Sequence, residues 1–158
     1  MAKIAILAGE PSGDLIAGQL MAYINSKEKN VQFIGVGGPS MKHQGLKSFF
    51  DYSNLSLYGV FQVIPNIPKL IFLRYKLIKY LQNEKPDIFI GVDAPDFNFY
   101  VEKKLKQSGI PTFHYVAPSV WAWRPKRVHK IKKSTDYIFS IFPHEKPIWH
   151  CGKPLKNH

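Results

Sequence analysis

Along this chain, short runs of Ile, Val, Phe and Ala alternate with longer stretches in which apolar residues recur every three or four positions. The runs "KIAILA" (3–8), "VQFIGV" (31–36), "DIFIGV" (87–92), "TFHYVA" (112–117) and "DYIFSIF" (136–142) have strand length and little polar alternation, the pattern of strands buried on both faces of a parallel sheet. Helical periodicity fills the intervals at 15–26, 67–83, 97–108 and roughly 123–133. Strand and helix alternate with no internal repeat and no low-complexity linker. The pattern predicts one α/β domain, a parallel sheet with right-handed crossovers.

Such a sheet receives its ligand beyond the carboxyl ends of its strands, so the turns that follow the strands carry the chemistry. Those turns read "GEPSGD" (9–14), "GGPSM" (37–41), "DAPDFN" (93–98) and "PSVWAWRPKR" (118–127). In the first, glycines permit tight geometry, and a helix start offers free amides to an anion beside Glu10, Ser12 and Gly13; alternatively Ser12 or Asp14 caps the helix. Neither G-x-G-x-x-G nor G-x-x-x-x-G-K-[ST] occurs, which leaves nucleotide binding by those two loops unsupported. Asp93 directly follows a buried strand and can serve as a general base; the alternative is that it bonds neighbouring amides while Asp96 caps the next helix. Trp121 and Trp123 stand among Arg124, Lys126, Arg127 and Lys130, either a stacking platform beside cations or a packed Trp next to a solvated basic face. His114 lies inside a strand and reads as a core residue; the six histidines have no metal-ligand spacing, and neither metal nor cofactor is expected. The nucleophile elbow G-x-S-x-G is absent.

Composition narrows the classes. With 45% hydrophobic residues the chain can build a core, and 22 Lys+Arg against 11 Asp+Glu give a net charge of +11, which suits nucleic acid, a phosphorylated substrate or anionic lipid. Cys151 is the single cysteine, so no intrachain disulfide forms, and the first residues lack the order of a signal peptide; a cytoplasmic location is expected. No apolar run approaches the roughly 20 residues that span a bilayer. One stretch, 58–81, does look suited to a membrane surface: Phe61, Val63, Ile64 and Ile67 are interrupted by Pro65 and followed by Pro68 and the cations Lys69, Arg74, Lys76 and Lys79. The alternative is a core helix over 67–83 with Leu73, Leu77 and Leu81 against the sheet.

Taken in order, "GEPSGD", "GVGGPSM", "GVDAPDFN" and "HYVAPSVWAWRPKRVHKI" resemble the lipid-A-disaccharide synthase family over nearly the whole chain. That resemblance implies an inverting glycosyltransferase of the two-Rossmann-domain (GT-B) fold. It would transfer 2,3-diacylglucosamine from UDP-2,3-diacylglucosamine to 2,3-diacylglucosamine 1-phosphate without a metal. Residues 1–146 would form the amino-terminal, acceptor-side domain; 147–158 reads as a divergent tail of the kind a frameshift leaves, with the UDP-site domain missing and the chain inactive alone. By the same resemblance Asp93 is the general base, and Glu10, Ser12, Gly13, Ser119, Trp121 and Arg124 are substrate-binding. Phe61, Val63, Ile64 and Ile67 would contact acyl chains or the anionic inner membrane, on which the enzyme sits peripherally. No nucleic-acid partner is implied. The competing reading of the residues themselves is a basic α/β module that binds nucleic acid, for which positive charge on an open face is the mark.

Overall fold

The computed structural model describes residues 1–50, 52, 60–116, 131 and 133–139, with backbone alone for 60–67. Six strands, β1 (Ala2–Ala8), β2 (Val31–Val36), β3 (Leu46–Ser48), β4 (Ile88–Val92), β5 (Thr112–Tyr115) and β6 (Tyr137–Phe139), form one sheet in the order β3-β2-β1-β4-β5-β6. Every pairing is parallel, and Ala8 at the end of β1 stands beside Val92 at the end of β4. The helices are α1 (Pro11–Lys27), α2 (Pro39–His43), α3 (Val60–Glu84) and α4 (Pro95–Gln107).

The two-residue period of the strands divides the core between the two faces. Ala5 and Leu7 of β1 join Ile34, Phe89, Leu77 and Leu81 of α3 and Leu105 of α4. Ile4, Ile6 and Ala8 join Phe33, Ile90, Ala17 and Met21 of α1 and Met41 of α2. Both faces are therefore covered by helices, which is why the strand runs lack a polar face.

All five predicted strand runs contain strands; of 136–142, residues 140–142 lie outside the described residues, as does most of the helix expected at 123–133. Two short elements, α2 and β3, were not predicted, because five and three residues are too few to show a period. The helix expected over 67–83 instead runs from Val60 to Glu84 and passes through Pro65 and Pro68. Each proline removes one backbone bond, yet its fixed φ is helical, and a helix of 25 residues survives two lost bonds when Leu77, Ile78 and Leu81 are buried. Arg74, expected among the free cations, lies 4.4 Å over the Tyr100 ring and 5.5 Å over that of Phe97, tying α3 to α4.

At the far edge Asp136 joins three elements. Its Oδ2 accepts hydrogen bonds from the Thr112 N–H (2.9 Å) and hydroxyl (3.0 Å), and its Oδ1 lies 2.9 Å from Lys106 Nζ of α4. Burial pushes this carboxyl up, but the bonds from Lys106 and Thr112 outweigh it and leave it below its ordinary value of 3.8. A group depressed on folding stabilises above its unfolded value and loses that contribution as pH falls through the folded one. The urea midpoint of Asp136→Asn should thus fall below that of the unaltered protein at pH 7, with the gap narrowing as pH drops below 3.8. A gap that does not change between pH 7 and pH 3 would remove the ionic role.

Candidate functional site

The strand order reverses between β1 and β4: from β1 the chain moves outward to β2 and β3, then returns across the sheet to β4, β5 and β6. At that switch point the loops leaving β1 and β4 diverge to opposite faces and open a crevice. Gly13, in the first turn of α1, sits at its floor. A Cβ there would lie 3.4 Å from Ala8 Cβ, 3.4 Å from the Val92 carbonyl oxygen and 3.7 Å from Asp93 Cβ, so any larger side chain would crowd the two strand ends. The "GEPSGD" and "DAPDFN" turns therefore meet, with Glu10 and Ser12 exposed above Gly13 and Asp93 half-buried beside it.

Two expectations about caps are corrected. Neither Ser12 nor Asp14 caps α1, whose N-cap is Glu10 with no side-chain cap bond, and Pro11 holds the first position. Asp14 is buried and reaches across to α2, where its Oδ1 accepts the N–H of Gly38 (2.8 Å) and Met41 (3.1 Å) and its Oδ2 that of Ser40 (3.0 Å). It thereby fixes the "GGPSM" turn at the rim, because three backbone donors without helix partners converge on one carboxylate. Asp96 is likewise not the cap of α4; the cap residue is Ala94, which makes no side-chain cap bond.

Asp93 has φ 52° and Ala94 φ 43°, two consecutive non-glycine residues in the left-handed region, and Val116 at the end of β5 has φ 75°. Such conformations cost about 1–3 kcal/mol each and persist where surrounding bonds over-determine them. The Asp93 N–H donates to the Tyr115 carbonyl (3.0 Å), and the Val116 N–H to that of Phe139 (3.1 Å). No described residue donates a hydrogen bond to the Asp93 carboxylate, which disfavours the alternative of a side chain spent on neighbouring amides. Three of the four described non-glycine residues with positive φ, Lys85 before β4 being the fourth, thus lie along the carboxyl edge of β4 and β5, the edge at which this architecture receives ligands.

Glu10, Ser12, Gly13 and Asp93 are thus brought together at one crevice. Ser119, Trp121 and Arg124 lie outside the described residues, as do the side chains of Phe61, Val63, Ile64 and Ile67; the chain enters the former segment from Val116, next to Asp93. His114 is buried in β5, as expected of a core residue, and its Nδ1 lies 2.7 Å from Glu102 Oε1 of α4. Burial pushes the Glu102 carboxyl up, opposed by its bond to His114. Glu102 and Asn98, which donates from Nδ2 to the carbonyls of Val92 (3.2 Å) and Asp93 (2.6 Å), were missed in the sequence.

A doubly wound parallel sheet with a switch-point crevice defines a Rossmann-like α/β domain. The chain belongs to the lipid-A-disaccharide synthetase family, whose pattern matches residues 4–156. It is 50% identical over 161 residues to the lipid-A-disaccharide synthase of Idiomarina loihiensis, covering 97% of this chain and 42% of that protein. It is 46% identical to that of Chromobacterium violaceum, covering 97% of this chain and 40% of the relative. With the Pseudomonas aeruginosa (strain LESB58) protein the identity is 44%, over 98% of this chain and 43% of the other. The chain thus spans about two-fifths of the length of these relatives. Among solved structures it shares its fold with MurG of Acinetobacter baumannii, at a TM-score of 0.50 and 14% identity, covering 91% of this chain and 42% of that one.

Proposed function

We propose that this chain is the amino-terminal, acceptor-side domain of a lipid-A-disaccharide synthase, bounded by residues 1–146, and that Asp93 is its general base. The observation that carries this is the meeting of Asp93 with the Gly13 turn at the switch point between β1 and β4. Asp93 takes the proton from the 6-hydroxyl of 2,3-diacylglucosamine 1-phosphate as that oxygen attacks the anomeric carbon of UDP-2,3-diacylglucosamine. The glycosidic bond forms with inversion as the bond to UDP breaks, and UDP leaves with the electron pair. Glu10, Ser12 and Gly13 line the acceptor side of the crevice, with Ser119, Trp121 and Arg124 completing it. The UDP site belongs to a second domain, in keeping with the two-fifths coverage of the relatives. Family membership favours this over nucleic-acid binding, for which the net charge was the main support.

Titrating the isolated chain with a short-acyl 2,3-diacylglucosamine 1-phosphate should shift the amide resonances of Gly13 and Asp93, while UDP should not bind with submillimolar affinity. Tight UDP binding at one site, or acceptor shifts confined to residues away from the crevice, would contradict the assignment.

The acylated substrates reside in a bilayer, and we infer that α3 meets its surface, placing the protein peripherally on the cytoplasmic face of the inner membrane. Among the described residues no helix is long and apolar enough to cross a membrane. On α3, Ile71, Phe72 and Tyr75 are all more than half exposed, with Lys69, Lys76 and Lys79 exposed around them. Each such cation adds about 1 kcal/mol near anionic headgroups, and buried apolar side chains add attraction that salt does not screen. The chain should sediment with phosphatidylglycerol vesicles and be released only in part by salt. Serine at Phe61, Val63, Ile64 and Ile67 should reduce the salt-resistant fraction, and serine at Ile71, Phe72 and Tyr75 as well should abolish it; full retention of that fraction in the first variant would exclude those four side chains from lipid.

A further inference from the structure

Behind the Asp93 turn lies a buried polar cluster that the reaction above does not use. Asn98 and Glu102, one helical turn apart on α4, and His114 on β5 are each fully buried. Glu102 reaches His114 by passing over Gly91 of β4: a Cβ on Gly91 would collide with Glu102 Oε1 and approach Asn98 Cβ and Cγ to 3.1 Å. A proton on the Oε1–Nδ1 line then clamps α4 to β5 across a strand that has no side chain in the way. Among the described residues Asn98 Oδ1 and His114 Nε2 have no hydrogen-bond partner. Removing one partner of a buried pair such as Glu102–His114 leaves the other uncompensated, at about 1–3 kcal/mol.

What the cluster does fix is geometry. The Asn98 amide holds the carbonyls of Val92 and Asp93, and the Tyr115 carbonyl holds the Asp93 N–H. The peptide groups on both sides of the Asp93 Cα are therefore anchored, which determines its φ of 52° against the intrinsic preference of the residue. The Asn98 backbone N–H adds a 3.0 Å bond to the carbonyl of Ala94, the second left-handed residue. The position of Asn98 in turn depends on α4 being seated against β4 and β5; Val101 and Leu105 pack it there, and the Glu102–His114 contact fixes its register over Gly91.

We propose that Asn98, seated by the Glu102–His114 pair, is a positioning residue that holds Asp93 in its left-handed conformation so that the carboxylate meets the acceptor at the crevice. The proposal rests on the assignment of Asp93 as base. It extends that assignment to three residues that touch no substrate.

Two measurements test it. In the isolated chain, the scalar couplings that report φ at Asp93 should show a left-handed residue in the unaltered protein and a mixed population in Asn98→Ala and Glu102→Ala. In the chain fused to the remainder of the Idiomarina loihiensis relative, both variants should lose about 10- to 100-fold in kcat with KM little changed, as expected when a reacting group is misplaced by an ångström or less. Glu102→Gln, which keeps a bond to His114, should recover most of the rate, a recovery that a mere loss of stability would not show. Should Asn98→Ala fail to fold, Asn98→Ser, which retains a shorter donor, and Glu102→Gln against Glu102→Ala decide the matter by the same two readouts. Left-handed couplings at Asp93 and normal kcat in the variants would overturn the proposal, as would altered couplings with normal kcat. Asp93→Asn in the same fusion separates the two assignments: if that variant turns over normally, Asp93 is not the base, whereas the φ measurement stands independently.

Discussion

Asp93→Asn, in this chain joined to the remainder of a relative, should reduce turnover by roughly 10²–10⁴-fold while leaving acceptor binding within a few-fold of normal. The amide keeps the shape of the carboxylate and can still accept a weak hydrogen bond, but it cannot take the proton released by the attacking hydroxyl. The backbone should remain in place, because the anchoring bonds run to the Asp93 N–H and C=O and leave its side chain free of described donors. A loss confined to kcat is thus the signature of the base. A variant that retains more than about a tenth of the turnover would assign proton removal elsewhere, with Glu10 at the mouth of the same crevice the next group to examine.

Asp14→Ala should be among the most destabilising single changes in the domain. Asp14 is 3% exposed, its carboxylate accepts backbone bonds from Gly38, Ser40 and Met41, and removing it strands three donors at the start of α2. Hydrogen bonds to charged groups contribute about 1.5–3 kcal/mol each but do not add, so a total loss of about 3 kcal/mol is expected. For a chain of this size that lowers Tm by roughly 6–12 °C. Asp14→Asn keeps one acceptor oxygen and should recover part of the loss. A fall in Tm of less than about 2 °C for Asp14→Ala would mean that the "GGPSM" turn holds itself without the carboxylate.

Much of the architecture was legible because buried parallel strands leave unbroken apolar runs, and five such runs separated by helical periods admit few arrangements. The elements that were not legible are short or break a local rule. β3 is an edge strand of three residues, and α3 continues through two prolines because its buried carboxyl half supplies the stability that local propensity denies its start. Asp93 was recognisable at once as an acid placed directly after a buried strand. Its left-handed backbone was not, since it comes from carbonyls and amides brought together only by the fold. Two signals of the supporting cluster were nevertheless present. Gly91 interrupts an apolar strand, where a glycine marks close approach of another group. Glu102 falls on the same helical stripe as the buried Asn98, Val101 and Leu105, an acid on an inward face that needs a partner. The motif "GEPSGD" carries no local sign that Asp14 reaches a different helix, since its partners, Gly38, Ser40 and Met41, lie more than twenty residues away in the sequence.

The most direct test of the account is a coupled measurement of disaccharide 1-phosphate and UDP released from UDP-2,3-diacylglucosamine and 2,3-diacylglucosamine 1-phosphate. It compares the chain alone, the chain fused to the remainder of the Idiomarina loihiensis relative, and that remainder alone. Equimolar disaccharide and UDP are expected from the fusion, with neither from the chain alone nor from the remainder alone. Turnover by the chain alone would contradict the assignment of the UDP site to a second domain. A folded fusion that binds UDP but forms no disaccharide would contradict the claim that this domain supplies the acceptor site and its base.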